Sequence, residues 1–539
     1  MKKRLFVAAL SSALMISALT GCGQSSGNDA EAKSQTAAEE TTGEAKDELV
    51  FVNYRDIRDL NPHLYAGEMY AQSILYDTLV SNTGDGYEGC LAEDWTISED
   101  GRVYTFNIRD GVLFSDGTPC DANAILANFN AILENRERHT WLEMMNLLES
   151  VTAPDDDTIV IEMSEPYYPM LTELACIRPF AMISPECMID GSTKNGVNGY
   201  IGTGPYVLTD FVTDEYAIFE RNENYWGEAP AIQKITVRVI PDNQTRIMAL
   251  ENGEIDLIFG KNMLDADAIS QYVDSDRFTV GLSDPTSTRH IVLNTTHEIL
   301  GDTAVRKALQ HATNREAISQ GIFYGLEPAA DTLYAETVPY CDVDLEPYAY
   351  DTDEAARLLE EAGWTAGSDG IRTKDGKKLT LDLLYNSDSV TEKTIAEYLQ
   401  SEYLKLGIAM TIHGEEEQSY RDNMKAGNFD MVFNICWGMP YDPQSSLAAM
   451  RAPVYGDYAA QQGLSDKAEI DQAITDILTS TDETERQELY TFVLTRLHED
   501  AVYLPLTYET NKALYTSKLK GVHFGTDQYD IDFAGMYFQ

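Results

Sequence analysis

Hydrophobic and polar positions along this chain follow two periods, one typical of strands and the other of helices. Residues 103–109 alternate apolar and polar side chains before Asp110-Gly111, which predicts a half-buried strand in a hairpin. Residues 121–133 carry apolar side chains at helical spacing behind Asp121, which predicts a capped amphipathic helix. The mixture of the two periods indicates an α/β protein.

The same patterns recur further along the chain. Residues 353–363 predict a second amphipathic helix, capped by an aspartate and ended by Gly363. Short apolar runs at 255–259 and 431–435 predict buried strands. No repeat of 20–50 residues is visible, so we do not expect a solenoid or a propeller.

The first 47 residues have a different pattern. Lys2, Lys3 and Arg4 precede an apolar run over residues 5–19, which predicts a secretory signal over residues 1–21. Small residues before Cys22 resemble the processing site of bacterial lipoproteins, where the cysteine is acylated; an ordinary signal peptide with a chance cysteine is the alternative. Residues 22–47 are small, polar and charged, which predicts a flexible linker. We therefore expect a protein outside the cytoplasmic membrane that is held to its outer face by the lipid alone.

Composition narrows the function further. The 89 acidic residues outnumber the 39 basic ones, for a net charge of −50. Phosphate contacts need clustered cations, so a nucleic-acid partner is excluded. The cysteines form no C-x-x-C pair, which argues against a structural zinc site. The roughly 490 residues after the signal and the linker suffice for two or more domains.

Two sets of segments carry a resemblance to known proteins. The first set lies at 91–101, 202–206, 222–227 and 350–354, and the second at 60–65, 138–143, 178–180, 414–417, 437–443 and 460–464. The first set resembles the signature blocks of the peptide/nickel solute-binding protein family (family 5), and the second resembles its nickel-binding members most strongly. The resemblance runs from about Glu48 to the C-terminus.

The resemblance implies a two-lobed periplasmic-binding-protein fold (type II, large cluster C form) with two crossover strands, at 290–294 and 503–507. Lobe I would comprise residues 48–289 with 508–539 returning to it, and lobe II residues 290–507. It also implies a protein without catalytic activity or cofactor, a monomer that serves an ABC permease and its ATPase.

The arginines are the first candidate ligand contacts. Arg138 and Trp141 are three residues apart, so they could share a helical face. Arg178 ends an apolar segment. Read from the residues alone, each arginine is a surface cation, an internal salt bridge or a bidentate carboxylate receptor. The resemblance makes both arginines clamps for the carboxylates of a metal chelate.

The resemblance adds further candidates for the cavity wall. Trp437 and Tyr441 lie in a Gly- and Pro-bearing loop that follows a predicted strand, although a tryptophan also suits a core. Tyr65 and Met69 match positions that line the family's cavity, although a lone methionine usually packs in a core.

One position departs from the nickel-binding pattern. The position of the family's metal-ligand histidine is Tyr455 here, and a neutral phenol is a much poorer nickel ligand than imidazole. Either the chelator supplies the whole coordination shell or the specificity differs. The metal ligands are therefore unknown.

Three functions remain to be compared. The first is capture of a metal chelate, most naturally nickel with a carboxylate-rich metallophore, for delivery to an importer. The second is oligopeptide binding in the same transport class, which would need an extended cleft. The third is a secreted hydrolase with paired carboxylates, but no H-E-x-x-H and no suitably placed nucleophile motif supports it.

Overall fold

The computed structural model describes residues 46–84, 86–260, 263–436, 442–526 and 528–539. These residues belong to one compact unit. The predicted signal, Cys22 and most of the linker lie outside them, as do Trp437 and Tyr441. No helix in the described part of the chain is long and apolar enough to cross a membrane.

The strands are, in chain order, β1 (Glu48–Asn53), β2 (Val80–Asn82), β3 (Tyr87–Gly89), β4 (Ala92–Ile97), β5 (Val103–Ile108), β6 (Leu148–Thr152), β7 (Thr158–Met163), β8 (Met188–Ile189), β9 (Ser192–Val197), β10 (Tyr206–Val212), β11 (Tyr216–Arg221), β12 (Lys234–Val239), β13 (Leu257–Phe259), β14 (Phe278–Leu293), β15 (Thr365–Ala366), β16 (Arg372–Lys374), β17 (Lys377–Lys378), β18 (Thr380–Asn386), β19 (Ala409–Glu415), β20 (Met431–Cys436), β21 (Tyr503–Thr516), β22 (Leu519–Lys520) and β23 (Tyr537–Phe538).

The helices are α1 (Met69–Leu75), α2 (Ala122–Glu134), α3 (Glu143–Leu147), α4 (Met170–Leu174), α5 (Ile177–Phe180), α6 (Asn243–Glu251), α7 (Ala266–Ser270), α8 (Thr303–Ala312), α9 (Arg315–Ile322), α10 (Thr352–Glu361), α11 (Val390–Lys405), α12 (Glu417–Ala426), α13 (Pro443–Ala449), α14 (Gly456–Gln461), α15 (Lys467–Thr479) and α16 (Glu483–Glu499). Short 3₁₀ turns lie at Arg136–Arg138 and Pro185–Cys187.

A mixed ten-stranded sheet runs through the molecule in the order β10-β11-β12-β1-β13-β21-β14-β20-β18-β19. Parallel pairs join β1 to its neighbours β12 and β13, and β18 to β19 and β20. The remaining pairs are antiparallel. A second, antiparallel sheet has the order β4-β5-β7-β6. The predicted α/β class is confirmed.

The two long strands β14 and β21 pair along most of their lengths. Their register shifts between Leu282 and Pro285, between Pro285 and Ser287, and between Arg289 and His290. On one side of these irregularities β21 pairs with β13, and on the other side β14 pairs with β20. The predicted crossover segments 290–294 and 503–507 lie at the β20 side of this pair. The division into lobes at these strands stays a prediction.

The local signals account for several elements. The Asp121 carboxylate accepts the Ala124 N–H at 2.9 Å and caps α2, as predicted. The helix predicted at 353–363 begins one residue earlier as α10, and Asp351 is its capping residue. The strand predicted at 103–109 is β5, but its hairpin partner is the preceding β4 and not a strand beyond Asp110-Gly111. The turn at Asp110-Gly111 leads instead towards α2, and the first candidate site residues follow the C-terminal end of that helix.

The six described cysteines form no disulfide. Five of them are buried and Cys90 is half-buried. Burial raises the pKa of the Cys120 thiol above its ordinary value, and the same holds for Cys341 and Cys436.

Candidate functional site

Arg138 and Trp141 lie on two consecutive turns that follow α2. The Asn135 carbonyl accepts the Arg138 N–H at 2.8 Å, and the His139 carbonyl accepts the Leu142 N–H at 2.9 Å. The expectation of a shared face on one helix is therefore wrong, because the 3₁₀ turn ends at Arg138. We call residues 136–142 the Arg138 turn. Both side chains are exposed, and within the described residues no carboxylate is in ion-pair contact with Arg138.

Tyr65 connects this turn to the loop before α1. The Trp141 indole N–H donates to the Tyr65 hydroxyl at 2.6 Å, and the hydroxyl lies 2.6 Å from His139 Nδ1. The phenol oxygen accepts the indole hydrogen, and the tautomer of His139 sets the direction of the second bond. The other ring nitrogen of His139, Nε2, is buried and has no hydrogen-bond partner among the described residues.

The pKa of Tyr65 is affected by both candidate arginines. Burial raises its pKa to about 12, while Arg178 and Arg138 both act in the opposite direction. Tyr65 therefore lies within electrostatic reach of both arginines. Burial, with Arg138 as a second cause, lowers the pKa of His139 to about 4, so this imidazole is neutral at pH 7. The imidazole therefore adds no positive charge to that of the arginines.

Arg178 is a buried cation, only 8% exposed. Its Nε donates to Gln72 Oε1 at 2.6 Å, and its Nη2 donates to the carbonyl of Gly67. Gln72 lies on α1 and is fully buried. A guanidinium has five N–H donors, so three remain for another acceptor.

The acceptors around Arg178 are neutral. Glu68 is the carboxylate that acts on it most strongly, but Glu68 pairs with Arg55, whose Nε lies 2.5 Å from Oε1. Burial lowers the pKa of Arg178 from its ordinary value, yet an arginine stays protonated at any physiological pH. Buried charges in proteins are normally paired, so this guanidinium is suited to an external anion.

Met69 is the first residue of α1 and is half-buried. Its helix also carries Gln72, so one short element presents the apolar side chain and the group that orients Arg178. The predicted role of Met69 as a cavity wall is consistent with this place but stays a prediction.

Tyr455 lies in a different part of the structure. It precedes α14, is half-buried, and its pKa is raised by burial, with Arg421 and Asp457 as the charges that act on it. The contacts of the described residues do not join Tyr455 to Tyr65 or to either arginine. Its predicted role in ligand binding stays a prediction.

The loop with Trp437 and Tyr441 lies outside the described residues, but both of its ends are fixed. β20 ends at Cys436, and Asp442 caps α13 by accepting the Gln444 N–H at 2.7 Å. Asp442 is buried, which raises its pKa to about 6.

A cavity of about 340 Å³ adjoins the Arg178 segment. It is bounded by Ser73 and Ile74 of α1, by residues 175–177, and by residues 530–534 near the C-terminus. Sequence reasoning missed this wall, because nothing in the chain relates residues 530–534 to a segment some 350 residues earlier. It also missed Gln72 and Gly67, which act through Arg178.

Comparison with known proteins identifies the family of the chain. The model of the bacterial extracellular solute-binding proteins, family 5, matches residues 86–457. The nickel-binding periplasmic protein of Escherichia coli (strain K12) is 42% identical over 494 residues, which cover 91% of this chain and 94% of that protein. The chain belongs to this family.

Members of solute-binding protein family 5 bind different ligands on one fold. NikA from Brucella suis, solved in complex with Fe(III)-EDTA, superposes with a TM-score of 0.88 at 44% identity, covering 91% of this chain and all of that one. The dipeptide-binding protein of E. coli is 26% identical, covering 88% of this chain and 91% of that protein. This chain therefore has the two-lobed fold of these binding proteins. It is a solute-binding protein of the kind that works with ABC importers.

Proposed function

We propose that this protein captures a metal chelate, most naturally nickel held by a carboxylate-rich metallophore, between its two lobes and delivers it to an ABC permease and its ATPase. The observation that carries the proposal is Arg178, a buried guanidinium with three free donors and only neutral partners. Arg138 and Trp141 lie on the turn that Tyr65 connects to the same region.

The arginines set the class of ligand. Planar guanidinium groups match the two oxygens of a carboxylate, so two of them favour a ligand with more than one carboxylate. The exposed indole of Trp141 offers a flat apolar surface beside them. The protein has a net charge of −50, but screening over about 8 Å lets the close arginines decide the local field.

The relatives support a chelate as the ligand. One of them is named for nickel binding and another was solved with Fe(III)-EDTA, a metal enclosed by carboxylates. Tyr455 stands where the family's metal-ligand histidine is expected, so we propose that the chelator fills the metal's coordination shell. No cofactor and no catalytic step belong to this function.

The proposed cellular location rests on the N-terminal residues. We propose that Cys22 carries a lipid that holds the protein, as a monomer, to the outer face of the cytoplasmic membrane. Metabolic labelling with a radioactive fatty acid tests this, because the Cys22→Ala protein should stay unlabelled and appear in the medium.

Calorimetry with Ni(II)-EDTA and Fe(III)-EDTA tests the ligand class. Replacing Arg178 by alanine should weaken chelate binding by about 2–5 kcal/mol, or about 30- to 4,000-fold in affinity, because the carboxylate loses its partner in a buried place. Arg138→Ala should weaken it less, since Arg138 is exposed. Arg357→Ala is the control, because Arg357 is exposed on α10 and pairs with Glu354 and Glu361.

The proposal fails if Arg138→Ala and Arg178→Ala both bind the chelates as tightly as the wild type and the Arg357→Ala control. Circular dichroism of each variant separates lost binding from lost folding.

The alternative function is oligopeptide binding, which the dipeptide-binding relative favours. Native mass spectrometry of protein purified from its own growth medium distinguishes the two. A metal-bearing small molecule of one mass supports the chelate, and a mixture of peptide masses supports the alternative.

A further inference from the structure

Glu173 is a buried side chain that lies between the two arginine-bearing segments. It belongs to α4, shortly before Arg178, and is 6% exposed. Its Oε2 accepts the Met144 N–H at 3.0 Å and its Oε1 accepts the Glu143 N–H at 3.2 Å. The Tyr167 hydroxyl also bonds to Oε1. One side chain thus joins the segment before Arg178 to the start of α3.

The two amides that Glu173 binds open a helix that has no cap of its own. The first amides of a helix have no partner within the helix and need an outside acceptor. The N-cap position of α3 is Leu142, which offers no side-chain acceptor. Glu173 supplies from α4 the hydrogen bonds that a capping serine or aspartate would supply locally.

We propose that Glu173 is a positioning residue for the ligand site. By holding the first turn of α3, it fixes the Arg138 turn, and with it Arg138 and Trp141, relative to Arg178. The inference rests on the proposed function, since the positions matter for a ligand that bridges both arginines. The geometry of Glu173 itself is independent of which ligand that is.

The charge state of Glu173 decides which variants are informative. Burial raises its pKa to about 8, and the buried Asp442 acts in the same direction, so at pH 7 the carboxyl is mostly protonated. A glutamine then reproduces its shape and keeps one oxygen acceptor. A methionine has similar length but no acceptor. Glu173→Gln and Glu173→Met therefore differ mainly in the hydrogen bonds.

The ligand-free test uses the indole of Trp141. In protein labelled with 5-fluorotryptophan, the Trp141→Phe variant identifies the Trp141 resonance among those of the five tryptophans. We expect Glu173→Met to shift or broaden this resonance and Glu173→Gln to leave it close to its wild-type position. Glu392→Met is the matched control, because Glu392 is a half-buried glutamate that also accepts a backbone N–H, that of Asn386.

The binding test uses Ni(II)-EDTA and Fe(III)-EDTA in a calorimeter. Glu173→Met should lower affinity by about tenfold or more, and Glu173→Gln by less than about threefold, since a lost buried hydrogen bond is worth this much. If the wild type binds neither chelate, the proposed function fails. The Trp141 resonance alone then tests whether Glu173 positions the Arg138 turn.

A second pair of variants leaves the buried carboxyl in place. Glu143→Pro deletes one of the two N–H donors, and proline is tolerated at the first helical position. Glu143→Ala keeps the donor and removes only the side chain. We expect the proline variant alone to move the Trp141 resonance.

The inference is overturned if Glu173→Met leaves both the resonance and the affinity unchanged. It is also overturned if Glu143→Pro moves the Trp141 resonance no more than Glu143→Ala does.

Discussion

Tyr65 illustrates how one hydroxyl organises the candidate site. It accepts the indole N–H of Trp141 and forms a hydrogen bond with His139 Nδ1, each over 2.6 Å. Two hydrogen-bonding positions of the hydroxyl are therefore occupied. Tyr65 orients the indole and holds the imidazole, in addition to the predicted contact with ligand.

Removing this hydroxyl gives a prediction at the residue scale. Tyr65→Phe should lower the free energy of unfolding by about 1–3 kcal/mol, because the buried His139 loses the hydrogen-bond partner of its Nδ1. Chelate affinity should fall by less than in Arg178→Ala, because the Trp141 indole loses only the hydrogen bond that orients it. Urea unfolding and calorimetry measure the two effects.

Tyr537→Phe is the control for this change, because Tyr537 is 47% exposed and its hydroxyl contacts none of the described residues. Equal stability of the Tyr65→Phe protein and the wild type would contradict the hydrogen-bond assignment.

The sequence could indicate some residues of the site and not others. Arg138, Trp141 and Arg178 stand out because arginine is scarce in an acidic chain and these lie in segments that resemble the nickel-binding family members. Gln72, Gly67 and Glu173 gave no such signal. Each acts through a contact between segments far apart in sequence, and only the fold brings those segments together.

At the scale of elements, the prediction succeeded where the signal is local. The cap and apolar spacing of α2 and the apolar runs of β13 and β20 are properties of a few neighbouring residues. The hairpin at β5 was misplaced because the Asp-Gly signal marks a turn without naming the partner strand. The strand order of the large sheet and the position of β21 within it depend on contacts between distant parts of the chain. No local sequence pattern predicts them.

Arg486 on α16 is the clearest case of elements joined by one side chain. It is fully buried, and its guanidinium carbon lies 3.4 Å from the ring centre of Tyr168, in the segment between β7 and α4. It also donates to Gln444 of α13 at 3.2 Å and to the carbonyl of Ile477 on α15. The side chain thus links α16 to three other segments.

We expect Arg486→Met to lower the free energy of unfolding by about 2–4 kcal/mol. The variant loses the cation–π contact, and the buried oxygens of Gln444 and Ile477 lose their hydrogen-bond donor. Arg357→Met should change it by less than about 0.5 kcal/mol, since that arginine is exposed. Thermal unfolding of both variants is the measurement. A loss of similar size in both would show that the buried contacts contribute little.

At the scale of the whole molecule, charge should govern how fast an anionic chelate arrives. With a net charge of −50 the protein repels Ni(II)-EDTA at long range, and salt screens this repulsion. We expect the association rate to rise severalfold between roughly 10 mM and 200 mM salt. Stopped-flow tryptophan fluorescence measures the rate.

The uncharged complex of Ni(II) with two L-histidine anions should respond much less to salt. A rate for Ni(II)-EDTA that falls with salt would mean that the field of Arg138 and Arg178 extends beyond the surface and outweighs the remaining charge.

The position of β21 in the large sheet has a consequence for how the chain folds. This strand follows every other strand of the sheet along the chain, yet it lies in the middle, between β13 and β14. Before residues 503–516 emerge from the ribosome, the sheet can exist only as two separate pieces, β10-β11-β12-β1-β13 and β14-β20-β18-β19. Folding is therefore completed after synthesis, by the insertion of a late strand. Until that strand is added, the edges of β13 and β14 that face it have no partner strand in this sheet.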